Sequence, residues 1–479
     1  MNTSISRGPV RANTLLLGAV VGLAGYFTGA AAQTGQQGPN TPLPTLPGLT
    51  VLQQPVANAI DVACPNLLFG IGVNPNPSGT PQERLTNSCT AMVVTAAYLQ
   101  GNTSLPAKFD LKISNEQLRT GLQANAPGQM NAQGSKNNNL LAGRLFDLRA
   151  GARGFAISLN GMDVPDVAGA KSGNETLRGA TGGAAAADTG FGGRLGGFVK
   201  LAGNWGNVDQ TTLQDSYKYD AFSILAGADY RVSDALVLGG AVSYDDTKSD
   251  YDHSLGSVKA QTWSIAGYGT YSFGKWYVDG FAGYGSINYD TTRNILIPSN
   301  NPAIAPLVGS ATASPNGEQW SVSLGGGYNY DLGGMSLVPF ARLGYIWVRN
   351  DSFSENEPGA GLGLDVSQRT VESLQSALGA TISTTVSSSA GVFTPYFTAQ
   401  WMHEFKNDSP SILAKYVNDP LNTFFFIPSA TPTRDYAMLI VGSGVTLPNG
   451  FSGFLQLGAA AGLKDATNYS VVAGLRKEF

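Results

Sequence analysis

Few side chains in this chain of 479 residues could do chemistry on a substrate, and their spacing narrows the choice further. It has two cysteines, Cys64 and Cys89, and two histidines, His253 and His403. No histidine precedes residue 253, so a Ser-His-Asp triad cannot form within the N-terminal region. There is no G-x-S-x-G, H-E-x-x-H, P-loop or C-x-x-C motif. Asp61, Glu83, Asp110 and Glu116 could pair as carboxylates, but solvated charge on a helix surface is their commoner role. His253 stands beside Asp250 and Asp252, where the choice is a divalent-ion site or a plain polar loop. The expectation is no catalytic, cofactor-binding or metal site.

The two thiols are the chemistry that remains. Two cysteines in an exported chain usually pair. Here they would close a loop of about 26 residues, worth roughly 3–4 kcal/mol on a chain-entropy argument. Such a staple matters in a region too small to bury much core. Metal ligation and a reactive thiol are the alternatives, and the lack of a nearby histidine argues against metal.

The elements around the cysteines read as helices. Val56, Ile60 and Ala63 suggest a short helix starting near Pro55. Thr80-Pro81-Gln82-Glu83 is a capping box with proline at the first helical position. Leu85, Cys89, Met92, Ala96 and Leu99 then fall on one stripe. Ser114 to Gln117 repeats the box, with Ile113 placed to staple onto Leu118. A fourth stretch, 137–153, lines up Leu141, Leu145 and Leu148 beside Arg144, Arg149 and Arg153.

Residues 1–32 have the form of a secretory signal: Arg7 and Arg11, an apolar run, and small residues before a cut between Ala32 and Gln33. That places 33–54 as a disordered Pro/Gly/Gln-rich leader, 55–153 as a small helical domain, and 154–190 as a Gly/Ala-rich linker.

From 191 to 479 the period drops to two. In 319–330, Trp320, Val322, Leu324, Tyr328 and Tyr330 alternate with Gln319, Ser321, Ser323 and Asn329. An apolar face with aromatics near both ends, opposite small polar residues, is the pattern of a strand with lipid on one side and a polar lumen on the other. Twelve such segments follow one another: 192–205, 217–232, 234–247, 256–272, 275–290, 318–331, 335–350, 369–387, 391–406, 433–447, 450–463 and 466–479. The links alternate as well. Those at 206–216, 248–255, 291–317, 350–368 and 407–432 are mostly long. Those at 232–234, 273–274, 332–334, 388–390 and 448–449 are tight, whereas the eleventh, 463–466, is short where a long one is due. Outer-membrane barrels show this asymmetry of external loops and periplasmic turns. All six Trp lie in this half, as interfacial girdles require. The expected fold is an all-β antiparallel transmembrane barrel of about twelve strands, preceded by a small disulfide-stapled helical domain.

Composition agrees. Charged residues make up 13%, against about 25% in soluble domains, while mean hydropathy is only −0.04. The net charge of −4 offers no basic footprint for nucleic acid. Asp279, Arg342, Arg476 and Glu478 fall on the lumen face of their strands.

These residues together resemble the autotransporters of type V secretion. The pre-barrel helix of that family is similar to Asn138-Asn139-Leu140 with Arg144, Leu145, Leu148 and Arg149. Its first strand is similar to Phe191-Gly192-Gly193-Arg194-Leu195-Gly196-Gly197-Phe198. The resemblance covers most of 55–479, the barrel above all, and the chain lacks the β-helix repeats of large members. The lack of catalytic motifs, and not the resemblance, gives the expectation of no enzyme and no cofactor. The resemblance implies general export, then insertion by the barrel-assembly machinery, which would read the last strand and its terminal Phe479. It also implies passage of the N-terminal segment through the lumen, leaving a plug: the 137–153 helix or the stretch 175–187. Some members cut themselves between paired asparagines, which would be Asn138 and Asn139 here, although Asn at 137–139 also suits a helix cap.

The function expected is a translocator in outer-membrane lipid that exports or displays its own short helical passenger, whose surface ligand the residues do not name. The alternative is a porin-like passive channel with a periplasmic or plugging N-terminal domain. The position of the helical domain relative to the barrel separates the two.

Overall fold

The computed structural model describes residues 43–46, 48–49, 51, 53–69, 80–99, 156–157, 195–297, 306–389, 391–406, 408, 410–447 and 451–477. The signal region with Ala32 and Gln33, the second capping box, the 137–153 helix with Asn138 and Asn139, most of the linker and Phe479 lie outside them. So do the side chains of Arg476, Lys477 and Glu478.

Two helices come first, α1 (Gln53–Phe69) and α2 (Pro81–Leu99). The Thr80 cap of the box forms, the Glu83 N–H donating to Thr80 Oγ1 at 3.2 Å, and Pro81 opens the helix. Leu85, Cys89, Met92 and Ala96 are all fully buried along one stripe of α2. α1 is longer than its sequence suggests, because it continues through Pro65. A proline there costs a helix interior about 3 kcal/mol. The disulfide Cys64–Cys89 joins the two helices with Cα atoms 5.4 Å apart.

Twelve strands then close an antiparallel barrel. They are β1 (Leu195–Val208), β2 (Tyr217–Arg231), β3 (Leu236–Tyr251), β4 (Gly256–Phe273), β5 (Trp276–Ile297) and β6 (Asn316–Tyr328). The ring continues through β7 (Met335–Asn350), β8 (Arg369–Thr384), β9 (Gly391–Glu404), β10 (Asp435–Leu447), β11 (Phe451–Ala461) and β12 (Tyr469–Lys477). Each strand pairs with its neighbours in sequence, and β12 returns to β1 to remove the free edges that lipid would leave unsatisfied. The closing seam is short. Its ladder runs through Gly203–Val471, Asn204–Ser470 and Trp205–Tyr469. Farther toward the tight-turn end, Ala156–Ile157 pairs parallel to β1 at Phe198 and Val199.

The tight turns read at 232–234, 273–274 and 332–334 fall where the sequence places them, and Gly274 (φ 64°) and Gly333 (φ 73°) supply the left-handed backbone that two of them need; the turn read at 448–449 lies outside the described residues. At the opposite end the strands outrun the sequence reading. β3 reaches Tyr251 and β5 reaches Ile297, both inside stretches read as loop. The reason is an inversion of the alternation. Outward residues of β5 are Trp276, Val278 and Ala282 up to the aromatic Tyr284, then Ser286, Asn288 and Asp290. The inward residues run from Asp279 and Phe281, through Gly283 and Gly285, to Ile287 and Tyr289. Above that level the outer face meets water, so the apolar residues turn inside. Tyr217, Tyr251, Val258, Ala260, Ile287, Tyr289, Ile346 and Val348 form a core across the upper lumen.

The links after β7 and β9 are folded too. Phe353–Ser354, Leu364–Val366, Ile412–Tyr416 and Phe425–Ile427 make a separate 4-stranded antiparallel sheet. The helices, this sheet and the barrel belong to one compact unit from Pro42 onward.

Candidate functional site

The barrel offers two places where function can reside: its lumen, and the loop sheet at its long-link end.

The lumen is lined as the alternation requires. Ser321 and Ser323 are buried while Trp320, Val322 and Leu324 are 51%, 48% and 62% exposed on the outer face. Asp279 and Arg342 both point inward and flank Gly325, where an added Cβ would stand 2.9 Å from Asp279 Oδ1. Tyr268 donates to Asp229 at 3.3 Å, Tyr396 donates to Gln456 at 2.9 Å, and Thr381 and Thr398 share a hydrogen bond of 2.7 Å. Lys200 is wholly buried among the inward residues of β1. The sequence reading missed it, although its even position beside outward Leu201 marks it as a lumen charge. The inward face thus mixes small hydroxyls, amides and charges with one apolar cluster of Ala202, Leu225, Val237, Ala241, Tyr268 and Phe281.

Two aromatic girdles bound the outer face. Tyr244 packs on Trp263 at 4.9 Å and Tyr284 on Trp320 at 4.8 Å near the long-link end. Trp276 meets Tyr328 at 4.8 Å near the tight turns. This is the amphipathic belt of a membrane-spanning barrel.

The loop sheet is organised by charge. Arg293, near the end of β5, forms a buried bidentate ion pair with Glu355, its Nε–Oε1 hydrogen bond being 3.0 Å. Arg293 also donates to the Leu362 carbonyl at 2.9 Å, and Glu355 accepts from the Leu364 N–H at 2.9 Å. Glu357 gathers the N–H groups of Gly359, Ala360 and Leu362 at 2.8, 2.8 and 2.9 Å. These bonds fix 359–364 as a turn whose Ala360, Leu362 and Leu364 side chains join a buried apolar cluster. Burial pushes the Tyr416 hydroxyl well above the ordinary phenol range, so it stays protonated.

α1 and α2 pack on that surface. Leu43, Val56, Ile60, Cys64, Leu85, Cys89, Met92 and Ala96 share one core with Ile295, Ile297, Leu362, Leu364, Ile412, Ala414, Tyr416, Phe425 and Ile427. Ser88 donates to the Ala360 carbonyl at 2.5 Å. Gly361 (φ 74°) lies so close to α2 that a Cβ would stand 2.4 Å from the Leu85 nitrogen. Along one edge the fit opens into an apolar cavity of about 670 Å³ between α1 and Thr423–Phe426, with no charged side chain in its lining.

The other site expectations resolve as follows. Cys64 and Cys89 are bonded, so neither a thiol nor a thiolate ligand is present. Asp250 pairs with Lys248 at 2.7 Å, beside His253 in its left-handed turn (φ 56°). His403 lies on the outer face between Trp401 and Phe405 and meets Asp435 at 2.7 Å. Among the described residues no group of three or more His, Cys, Asp or Glu stands together as a metal site.

The model of the autotransporter beta-domain family matches residues 197–458, more than half of the chain. The chain belongs to this autotransporter family. Its curated relatives include an "Extracellular serine protease" of Serratia marcescens, 26% identical over 286 residues, a match covering 59% of this chain and 26% of that protein. "Outer membrane protein A" of Rickettsia conorii is 27% identical over 239 residues, covering 48% of this chain and 11% of its own length. The chain thus spans about a quarter or less of these relatives. Among solved structures, the translocator domain of the autotransporter NalP from Neisseria meningitidis is 18% identical with a TM-score of 0.45, covering 60% of this chain and 88% of that one. Membership of the family, the closed barrel and its lipid-facing belt place the autotransporter in the bacterial outer membrane.

Proposed function

We propose that this autotransporter passes its own N-terminal segment through the barrel and displays the α1–α2 domain at the cell surface. The observation that carries this reading is the end of the barrel on which the helices pack. They rest on the end of β5 and on the links after β7 and β9, the long-link end, and not on the tight turns. Long links face outward in outer-membrane barrels. A porin-like channel with its N-terminal domain in the periplasm calls for the opposite arrangement.

General secretion would bring the chain to the periplasm and the barrel-assembly machinery would insert it, reading β12 and Phe479. The displayed domain has no histidine, which supports a binding or structural role for it over hydrolysis. Self-cleavage at Asn138–Asn139 remains a separate proposal, tested by mass analysis of the surface fragment.

The experiment is protease shaving of intact cells. Cleavage of the N-terminal segment on intact cells, seen as a shortened chain in denaturing gels with the barrel left in place, is the expected result. Protection until the outer membrane is breached would reject display.

A further inference from the structure

We infer that the displayed helices have no core of their own, and that the loop sheet is a docking surface which keeps residues 43–99 bound even when the chain joining them to the barrel is cut. This deepens the display reading and rests on it only for the cellular location of the complex.

About half of the shared core comes from each side. From the helices come Ile60, Leu85 and Met92, each fully buried, and from the loops Leu362, Ala414 and Ile427, at 1%, 0% and 4% exposure. Two helices joined by one disulfide have a single packing face, and here that face is spent on the loops as well as on each other. Without the loop sheet that face would be in water, and the two described helices by themselves bury too little apolar area to stay folded. The loop side has the matching defect, since Leu362, Leu364, Ile412 and Phe425 would lie open. Each half therefore completes the other.

Three features make the contact specific rather than a loose apolar cover. The Ser88 hydroxyl is satisfied by the Ala360 carbonyl inside the interface. Gly361 brings the loop against the α2 backbone at a distance no side chain permits. The Arg293–Glu355 pair presets the loop that carries both. No covalent bond besides the chain itself links the helices to the barrel, because the only two cysteines bond to each other within the helical pair.

The test uses the full chain with a Gly/Ser insert of about 20 residues, carrying a site for a sequence-specific protease, between Gly101 and Asn102. The protein is purified in detergent, cut without denaturant, and run on size exclusion. Most of the N-terminal fragment is expected to co-elute with the barrel and to separate only in denaturant. Separation without denaturant overturns the inference. Gly361→Ala and Ile427→Asp, both on the external links, should release the fragment while the barrel keeps its heat-modifiable migration. Retention in both variants also overturns it, since the contact would then lie elsewhere. Cutting the same chain on intact cells separates the two readings. Resistance on cells with co-elution in detergent removes display and leaves the shared core standing, whereas cleavage on cells with release of the fragment does the reverse.

Discussion

Arg293 and Glu355 are 62 residues apart in sequence and form a bidentate ion pair, each side chain 4% exposed, at the base of the surface that receives the helices. Burying two charges is favourable only when the geometry is good and the remaining hydrogen-bond capacity is used. Here the extra bonds go to the Leu362 carbonyl and the Leu364 N–H, so the pair spends its charge on shaping one loop.

Removing one partner leaves the other buried and alone. Arg293→Met should destabilise the loop sheet by about 3–5 kcal/mol and expose 351–368 to protease, with the barrel intact. Limited proteolysis followed by mass mapping reads this directly. Unchanged protection would show that the turn is held by Glu357 and packing instead.

The disulfide gives a second measurable loss. Cys64→Ala with Cys89→Ala removes a cross-link spanning 25 residues, worth roughly 3 kcal/mol. Melting of the helical signal should shift down while heat-modifiable migration of the barrel is unchanged. An identical melt for the double variant would rule out a stabilising role.

The inversion of facing sets where the bilayer ends. Leu324→Arg places a charge in the lipid belt and should cost about 2–4 kcal/mol. Asn288→Arg lies on the same outer face of the neighbouring strand, beyond Tyr284, and should change stability by less than about 0.5 kcal/mol. Urea titration of both variants in lipid vesicles compares them. Equal costs would mean that lipid reaches higher than the aromatic girdle.

The terminal aromatic carries the fourth expectation. Deleting Phe479 should lower the amount of folded, heat-modifiable protein in the outer membrane, whereas shortening the external link at 299–305 should not. Normal levels without Phe479 would remove it as an assembly signal.

The barrel was legible because its physics is local. A strand between lipid and a polar lumen writes its facing into every second residue, so Trp320, Val322 and Leu324 could be assigned outward without a structure. The stripe of α2 was legible for the same reason, through a 3.6 period and a capping box. What the residues did not announce was every arrangement made by distant partners. Ile412, Ala414, Phe425 and Ile427 look like stray apolar residues in a loop, because the face they serve belongs to α1 and α2. Arg293 looks like a loop cation for the same reason. The upward extension of β5 was hidden because the alternation template changes sign where water replaces lipid.

That change of sign has a consequence for how the chain finds its pairing. A strand in a single solvent specifies its register once, and a slip by one residue swaps its two faces everywhere alike. β5 carries opposite instructions in its two halves. A slip by one would push Asp279 into hydrocarbon and, at the same moment, turn Ile287 and Tyr289 out to water. Each half thus vetoes the error that the other half alone might tolerate. A barrel with such strands has a two-point alignment check built into its wall, set by nothing more than the level at which one solvent gives way to another.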